Sequence, residues 1–249
     1  MNSIYRFIAF TMGLCLSFTA STQTESVFGV VNKYAAITRL AQCEGVIEVE
    51  NAAGFEVGDK VIIIQMQGAS INETNTAVFG TLDSLQDINS AGLYEKNQIT
   101  AINSTTISLQ FALLNNYDLE GKVQLISVPT YQNATVTTTL DAKSWNGKTG
   151  GVVAIEVANR LTVDGRIDAD GRGFRGGRAN NVQIDSCSSV AFLGPITTYY
   201  TNVGNWRGAE KGEGIATYII GKESGRGAQI NGGGGANDHQ AGGGGGAHH

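Results

Sequence analysis

The chain has 249 residues, among them 34 glycines and only two prolines, and a formal net charge of −5. That length admits one large β domain or two smaller ones. Two prolines exclude a collagen-type helix, which needs proline in a strict triplet, and sparse, net acidic charge leaves no electrostatic footprint for nucleic acid.

Residues 1–22 read as a secretory signal peptide. Arg6 supplies the positive start, Phe7–Phe18 an apolar stretch, and Thr19–Thr22 the small residues before a cleavage that leaves Gln23 first. Twelve apolar residues are too few to cross a bilayer core of about 30 Å as a helix. Leu14 stands before Cys15 where a lipoprotein signal wants a small residue. No second apolar run reaches 18 residues, so no membrane span is expected and the mature chain is placed outside the cell or on its surface. Its two cysteines, Cys43 and Cys187, either bridge in an oxidising compartment or remain thiols; the sequence leaves both open.

Residues 23–144 carry strand signals and almost no helical ones. Val46–Val49, Lys60–Met66, Gln98–Ile102, Thr105–Phe111, Lys122–Val128 and the threonine-rich Tyr131–Leu140 are the expected strands, with turns at Gly58-Asp59 and Asn103-Ser104. Thr81–Ala91 is expected as a short helix or a loop excursion. Together these segments predict an antiparallel-rich β domain.

The texture changes at Trp145, and residues 145–249 hold 25 of the 34 glycines. Gly150–Val157 is expected as a strand. Two hexads follow, Leu161–Arg166 (LTVDGR) and Ile167–Arg172 (IDADGR), which place Leu161, Val163, Ile167 and Ala169 on one inward face with Asp-Gly as the corner. Asp164-Gly165 then either closes a two-residue hairpin or turns a corner between the rungs of a β-solenoid. In both cases glycine is expected for a positive φ. Farther on, Gly232–Gly235 and Gly242–Gly246 begin ten residues apart. They read either as flexible linker or as extended strands packed side by side where no Cβ intervenes. Nothing after Gly246 resembles a terminating cap, so a truncated C-terminus is expected. The fold class is all-β: an antiparallel-rich domain followed by a β-solenoid-like, glycine-rich region.

Few residues point to chemistry. Gly171, Gly173 and Gly176 satisfy a dinucleotide fingerprint, but residues 177–188 lack the helix whose N-terminus would hold a pyrophosphate. All three histidines lie in the glycine-rich tail, so neither a Ser-His-Asp set nor a zinc site can be assembled in the body. No catalytic or cofactor-binding residue is assigned. Asp164, Asp168 and Asp170 are the calcium candidates, since closely spaced carboxylates supply oxygen ligands; the competing reading is that they cap their own turns. Arg166, Asp168, Asp170 and Arg172 also imitate the strand face with which parallel β-helix enzymes act on polysaccharides, although ion pairs between neighbouring rungs explain the same residues.

The stretches Gly147–Gly177 and Phe55–Ala69, with the paired glycine runs of 232–246, resemble the N-terminal region of large secreted, glycine-rich surface proteins of gliding Bacteroidota. The resemblance implies gliding-motility-associated, adhesin-like proteins exported by type IX secretion. It implies attachment to the outer surface through a C-terminal region missing from this chain, and names no catalytic residue. The expectation is a non-enzymatic structural or adhesin-like protein with an extracellular glycan or surface partner. The alternative is a carbohydrate-binding or carbohydrate-cleaving β-helix module.

Overall fold

Alternating β-branched residues govern the first half of the molecule. A computed structural model describes residues 24–181, 198–201, 208–217, 219–237 and 242–246; the signal-peptide segment and Cys187 fall outside the described residues. After β1 (Thr24–Gly29) come β2 (Tyr34–Ala41), β3 (Val46–Val49), β4 (Lys60–Gln65), β5 (Tyr94–Asn103), β6 (Thr106–Leu109) and β7 (Val123–Ser127). β2 to β7 close into a barrel in the order β2-β3-β6-β5-β4-β7, with every pairing antiparallel. The strand period of two sends Ile47, Val49, Val61, Ile63, Ile107 and Leu125 into one buried core, and closure leaves the barrel no free edge. Bulges at Ile37/Arg39 and Ile99/Ala101 interrupt the register, which is how a small barrel bends its strands. The 81–91 excursion contains only one 3₁₀ turn, Leu85–Ile88, capped by Ser84 and the Asp87 carboxylate.

A second, parallel sheet is built on β8 (Thr130–Asp141), which pairs with β1, β9 (Glu156–Val163) and β10 (Arg166–Asp168). Along β8, Thr130 faces Glu156 and Asp141 faces Asp168, so the partner lies 26 or 27 residues later throughout. β9 and β10 therefore lie end to end beside one strand and do not pair with each other. That excludes the hairpin at Asp164-Gly165. The amides of Asp164 and Gly165 both donate to Val136 O, at 3.0 and 2.8 Å. Gly165 is required for a different reason than its turn signature suggests: its φ lies outside the left-handed region, but a Cβ there would sit 1.6 Å from Thr138 O. The left-handed glycine is that of the second hexad, Gly171, at φ +68°.

On the core side of this sheet Val27, Val136 and Val163 stack across three strands, with Ala134 beside Leu161 and Leu140 beside Ile167. Val27, Ala134, Val136 and Leu140 are buried, but Leu161, Val163 and Ile167 stay 40, 48 and 49% exposed. Those three take the expected face, at a rim where no further strand covers them. Ala169 lies beyond the strand and is exposed.

The strand expected over Gly150–Val157 begins only at Glu156. Side chains capture the preceding backbone before a ladder can form. Gln124 exchanges two hydrogen bonds with Gly150, Asn32 exchanges two with Ala154, and the Tyr34 hydroxyl donates to Val152 O. This segment covers the outer face of β7, whose five residues are all buried.

The glycine-rich segments pack backbone against backbone. Gly177 N donates to Gly244 O at 2.7 Å, and Gly212 N to Gly233 O at 2.8 Å. Gly233 N donates to Gly245 O at 2.8 Å, and Gly244 N to Glu210 O at 2.9 Å. A Cβ on Gly212 would meet Gly245 O at 1.7 Å, and one on Gly243 would meet Gly177 O at 1.9 Å. Such approaches are open only to glycine, so the runs are packed segments where a linker was the competing expectation. The slab is tied to the barrel's end by Gly68 N and Ala69 N, both donating to Ile215 O, and by Gln67 Nε2 donating to Gly214 O. Among the described residues no helix is long and apolar enough to cross a membrane.

Candidate functional site

The outward face of the parallel sheet is polar because the same alternation that buries Val136 and Leu140 turns their neighbours to solvent. Register places Thr24, Asn133 and Arg160 in one row, Ser26, Thr135 and Thr162 in the next, then Thr139 with Arg166, and Asp141 with Asp168. Ser26 and Thr137 share a hydroxyl hydrogen bond of 3.0 Å.

Arg166, Asp168, Asp170 and Arg172, singled out from the hexads, gather at one end of this face. Arg172 Nε donates to Asp141 Oδ1 at 2.9 Å, its Nη2 reaches the other carboxylate oxygen, and its Nη1 donates to Ser144 Oγ at 2.9 Å. Arg166 pairs with Asp168 at 3.1 Å and donates to Thr139 Oγ1 at 3.3 Å. Asp141 was missed in the sequence because its partner is 31 residues away; only the 27-residue register brings it beside Asp168. The guanidinium of Arg172 holds the Asp141 carboxyl below the usual carboxylate range.

The calcium candidates are not brought together. Asp168 Oδ1 accepts from Asp170 N at 2.8 Å, a turn-capping contact, while Oδ2 faces Arg166. Asp164 sits at the corner. Among the described residues no group of three or more His, Cys, Asp or Glu side chains could hold a metal ion. Cys43 lies exposed on the 3₁₀ turn Gln42–Glu44.

Two features at the junction of barrel, sheet and glycine slab had no sequence signal. One is a cavity of about 440 Å³ between Ile64 and Met66 of the barrel, Trp145, Phe174 and Ile215, with Asp170 at its rim. Trp145 and Phe174 meet edge to face at 5.6 Å, and Trp145 Nε1 donates to Glu213 at 3.0 Å. Arg175 clamps the same Glu213, and Arg178 pairs with Glu210 at 2.7 Å, holding the Glu210 carboxyl below its ordinary range.

The other is Lys211, 3% exposed. Its ammonium donates to the carbonyls of Tyr199 (2.6 Å), Gly225 (2.8 Å) and Gly227, and lies 4.7 Å from the centre of the Phe79 ring. Burial pushes its pKa down to about 7. Three N–H donors meet three carbonyls, of which Tyr199 O also accepts from Gly227 N at 2.9 Å, so this residue acts as an internal brace.

No protein-family model and no curated protein matches the chain. Two solved structures do, both phage tailspikes. One is the Gp54 tailspike of Acinetobacter baumannii bacteriophage AP22, in complex with A. baumannii capsular saccharide: 10% identity, TM-score 0.30, 57% of this chain and 24% of the tailspike. The other is the tailspike gp49 of Pseudomonas phage LKA1: 16% identity, TM-score 0.28, 58% of this chain and 23% of the tailspike. The chain spans about a quarter of the length of each, and a likeness at these scores carries no argument about function.

Proposed function

We propose that this chain is a secreted or cell-surface structural module of adhesin-like type, without catalytic activity. The observation that carries this reading is the glycine slab. Its segments are hydrogen-bonded backbone to backbone, rimmed by the Arg175–Glu213 and Arg178–Glu210 pairs, and braced by Lys211. A spacer needs none of these contacts, whereas an ordered, packed part of a surface module pairs its buried backbone groups. The 26- to 27-residue parallel register with its Asp-Gly corner supports reading the sheet as solenoid-like rungs. Export by a cleaved leader, and kinship with gliding-associated surface proteins, belong to the same proposal.

A second reading is a carbohydrate-binding or carbohydrate-cleaving module, favoured by the row in which Asp141 and Asp168 stand beside Arg166 and Arg172. Incubating the mature chain with a glycan panel while assaying for new reducing ends separates the two. No new ends, together with resistance of 208–246 to limited proteolysis, is expected. Ends that form with the mature chain and vanish in Asp168→Ala or Asp141→Ala would sink the structural reading.

A further inference from the structure

The cavity at the junction of barrel, sheet and glycine slab takes its apolar walls from four separate segments. Ile64 and Met66 come from the end of β4 and just beyond it, Trp145 and Gly151 from the 145–151 loop, Phe174 from the segment after the second Asp-Gly pair, and Ile215 from the slab. Each wall is fixed by its own hydrogen bonds. Trp145 N donates to Arg172 O at 2.8 Å and the indole N–H donates to Glu213 at 3.0 Å. Gly151 N donates to Lys143 O at 2.8 Å, and Ile215 O accepts from both Gly68 N and Ala69 N. The space, about 440 Å³, is therefore preformed, and its volume is that of a small-molecule site.

Its polarity is one-sided. Gln65 lines it, but that side chain is already engaged, donating to Gln67 O at 2.7 Å and accepting from Asp118 N at 2.8 Å. Among the described lining residues Asp170 brings the single charge. It is exposed, and its tie to the fold runs through the backbone amide, which donates to Asp168 Oδ1 at 2.8 Å.

We propose that this cavity binds a small organic cation, an ammonium group carried on an apolar body of one or two rings. The body fills the space between Phe174, Trp145, Met66 and Ile215, and the ammonium reaches the Asp170 carboxylate at the rim. Apolar walls favour removing the body from water, aromatic rings attract a cation as well as an apolar group, and the carboxylate selects the sign of the charge. A free monosaccharide fits less well, because its hydroxyls would be buried among walls that offer them few partners. The site does not depend on the Asp141–Arg172 pair, and so stands apart from the glycan reading of the polar face.

Calorimetric titration of the mature chain with 2-phenylethylamine, at about pH 7.5 where the amine is charged, tests this. 2-Phenylethanol serves as the uncharged counterpart of the same shape, and glucose as the polyol. Saturable one-to-one binding of the amine with a Kd of about 1 mM or tighter is expected. The alcohol should bind about tenfold more weakly, and glucose should not bind. Asp170→Asn should lower the amine's affinity to that of the alcohol and leave the alcohol's unchanged, whereas Phe174→Ala should weaken both. Amide NMR shifts caused by the amine should fall on 64–66, 169–174 and 215. Circular dichroism identical to the parent's checks that each variant is folded, and the comparison of amine with alcohol on the parent chain needs no variant. No saturable binding of the amine (the outcome if another segment of the chain occupies the cavity), equal affinity for amine and alcohol, undiminished binding by folded Asp170→Asn, or shifts confined to other residues would each overturn the proposal.

Discussion

Replacing Gly212 by alanine tests whether the glycine slab is held together as its geometry requires. A Cβ built there lies 1.7 Å from Gly245 O and 3.1 Å from Gly233 N. Carbon and a carbonyl oxygen in favourable contact stand about 3.3–3.6 Å apart, so the 242–246 segment must retreat by roughly 1.6 Å or more. That movement stretches the bonds from Gly233 N to Gly245 O (2.8 Å) and from Gly177 N to Gly244 O (2.7 Å) beyond hydrogen-bond range. Each orphaned buried group costs about 1–3 kcal/mol, while the stiffer unfolded chain returns about 0.4–1 kcal/mol. The expected net loss is about 3 kcal/mol, with the slab opening before the barrel.

Gly245→Ala is the internal control, because nothing lies within 4 Å of its Cβ position and its φ is not left-handed. It should be neutral or stabilising by up to about 1 kcal/mol. Urea denaturation gives the free energies, and amide hydrogen exchange over 208–214 and 242–246 locates them. If the two substitutions shift stability and exchange alike, the backbone packing is not what orders these segments, and the structural reading of the slab falls with it.

Other outcomes follow from the buried groups. Lys211→Met takes the donor from the Gly225 and Gly227 carbonyls, while Tyr199 O keeps the amide of Gly227, and should cost about 1–3 kcal/mol for each of the two orphaned carbonyls. With its pKa pushed down to about 7 from 10.5, the folded chain binds fewer protons than the unfolded chain between those values. Stability should therefore rise with pH across that window, and the Met variant should lack this part of the slope in denaturant midpoints measured at pH 6, 7.5 and 9 (roughly spanning the lower part of the window). Glu210 and Asp141 carry the opposite sign. Their lowered carboxyl pKa values contribute stability that is complete above about pH 4–5 and is lost as pH falls through the folded values; Arg178→Ala and Arg172→Ala should each flatten the acid limb. In the barrel, Ile63→Ala should cost about 2–5 kcal/mol, since a fully buried site cannot collapse around the lost methyls.

Period and propensity made the barrel legible: Val46–Val49 is β3 as expected, and Lys60–Gln65 falls within the expected run. The long-range facts were not legible. Closure of six strands depends on which edges meet, and alternation within a strand says nothing about its neighbour. Gly150–Val157 misled because its valines look strand-like, while Asn32, Tyr34 and Gln124, which hold its backbone instead, lie 26 to 122 residues away. The hexads marked the break between β9 and β10 at Asp164-Gly165, but six is the spacing of the Asp-Gly pairs and 26 to 27 that of neighbouring strands. The slab was only half legible. Glycine runs announce that a Cβ is unwelcome, and whether water or another backbone occupies the space is decided by segments such as 175–178 and 208–214, far from the runs themselves. Lys211 gave no signal, since its acceptors are all main-chain carbonyls.

The polar face bears on the choice between holding a glycan and cutting one. Hydrolysis of a glycosidic bond needs one carboxyl kept protonated near neutral pH, and burial in apolar surroundings is the usual way to raise its pKa. Asp141 is moved the other way, fixed by two hydrogen bonds from Arg172 and thereby kept ionised. Asp168 has one oxygen beside Arg166 and the other accepting from the amide of Asp170. This surface also offers hydrogen-bonding groups: the hydroxyls of Thr135, Thr139 and Thr162, and the guanidinium of Arg160. Such groups suit contact with polar polymers. An ionised carboxylate suits the base or nucleophile of a hydrolytic pair, so the proton donor would have to be a carboxyl other than Asp141.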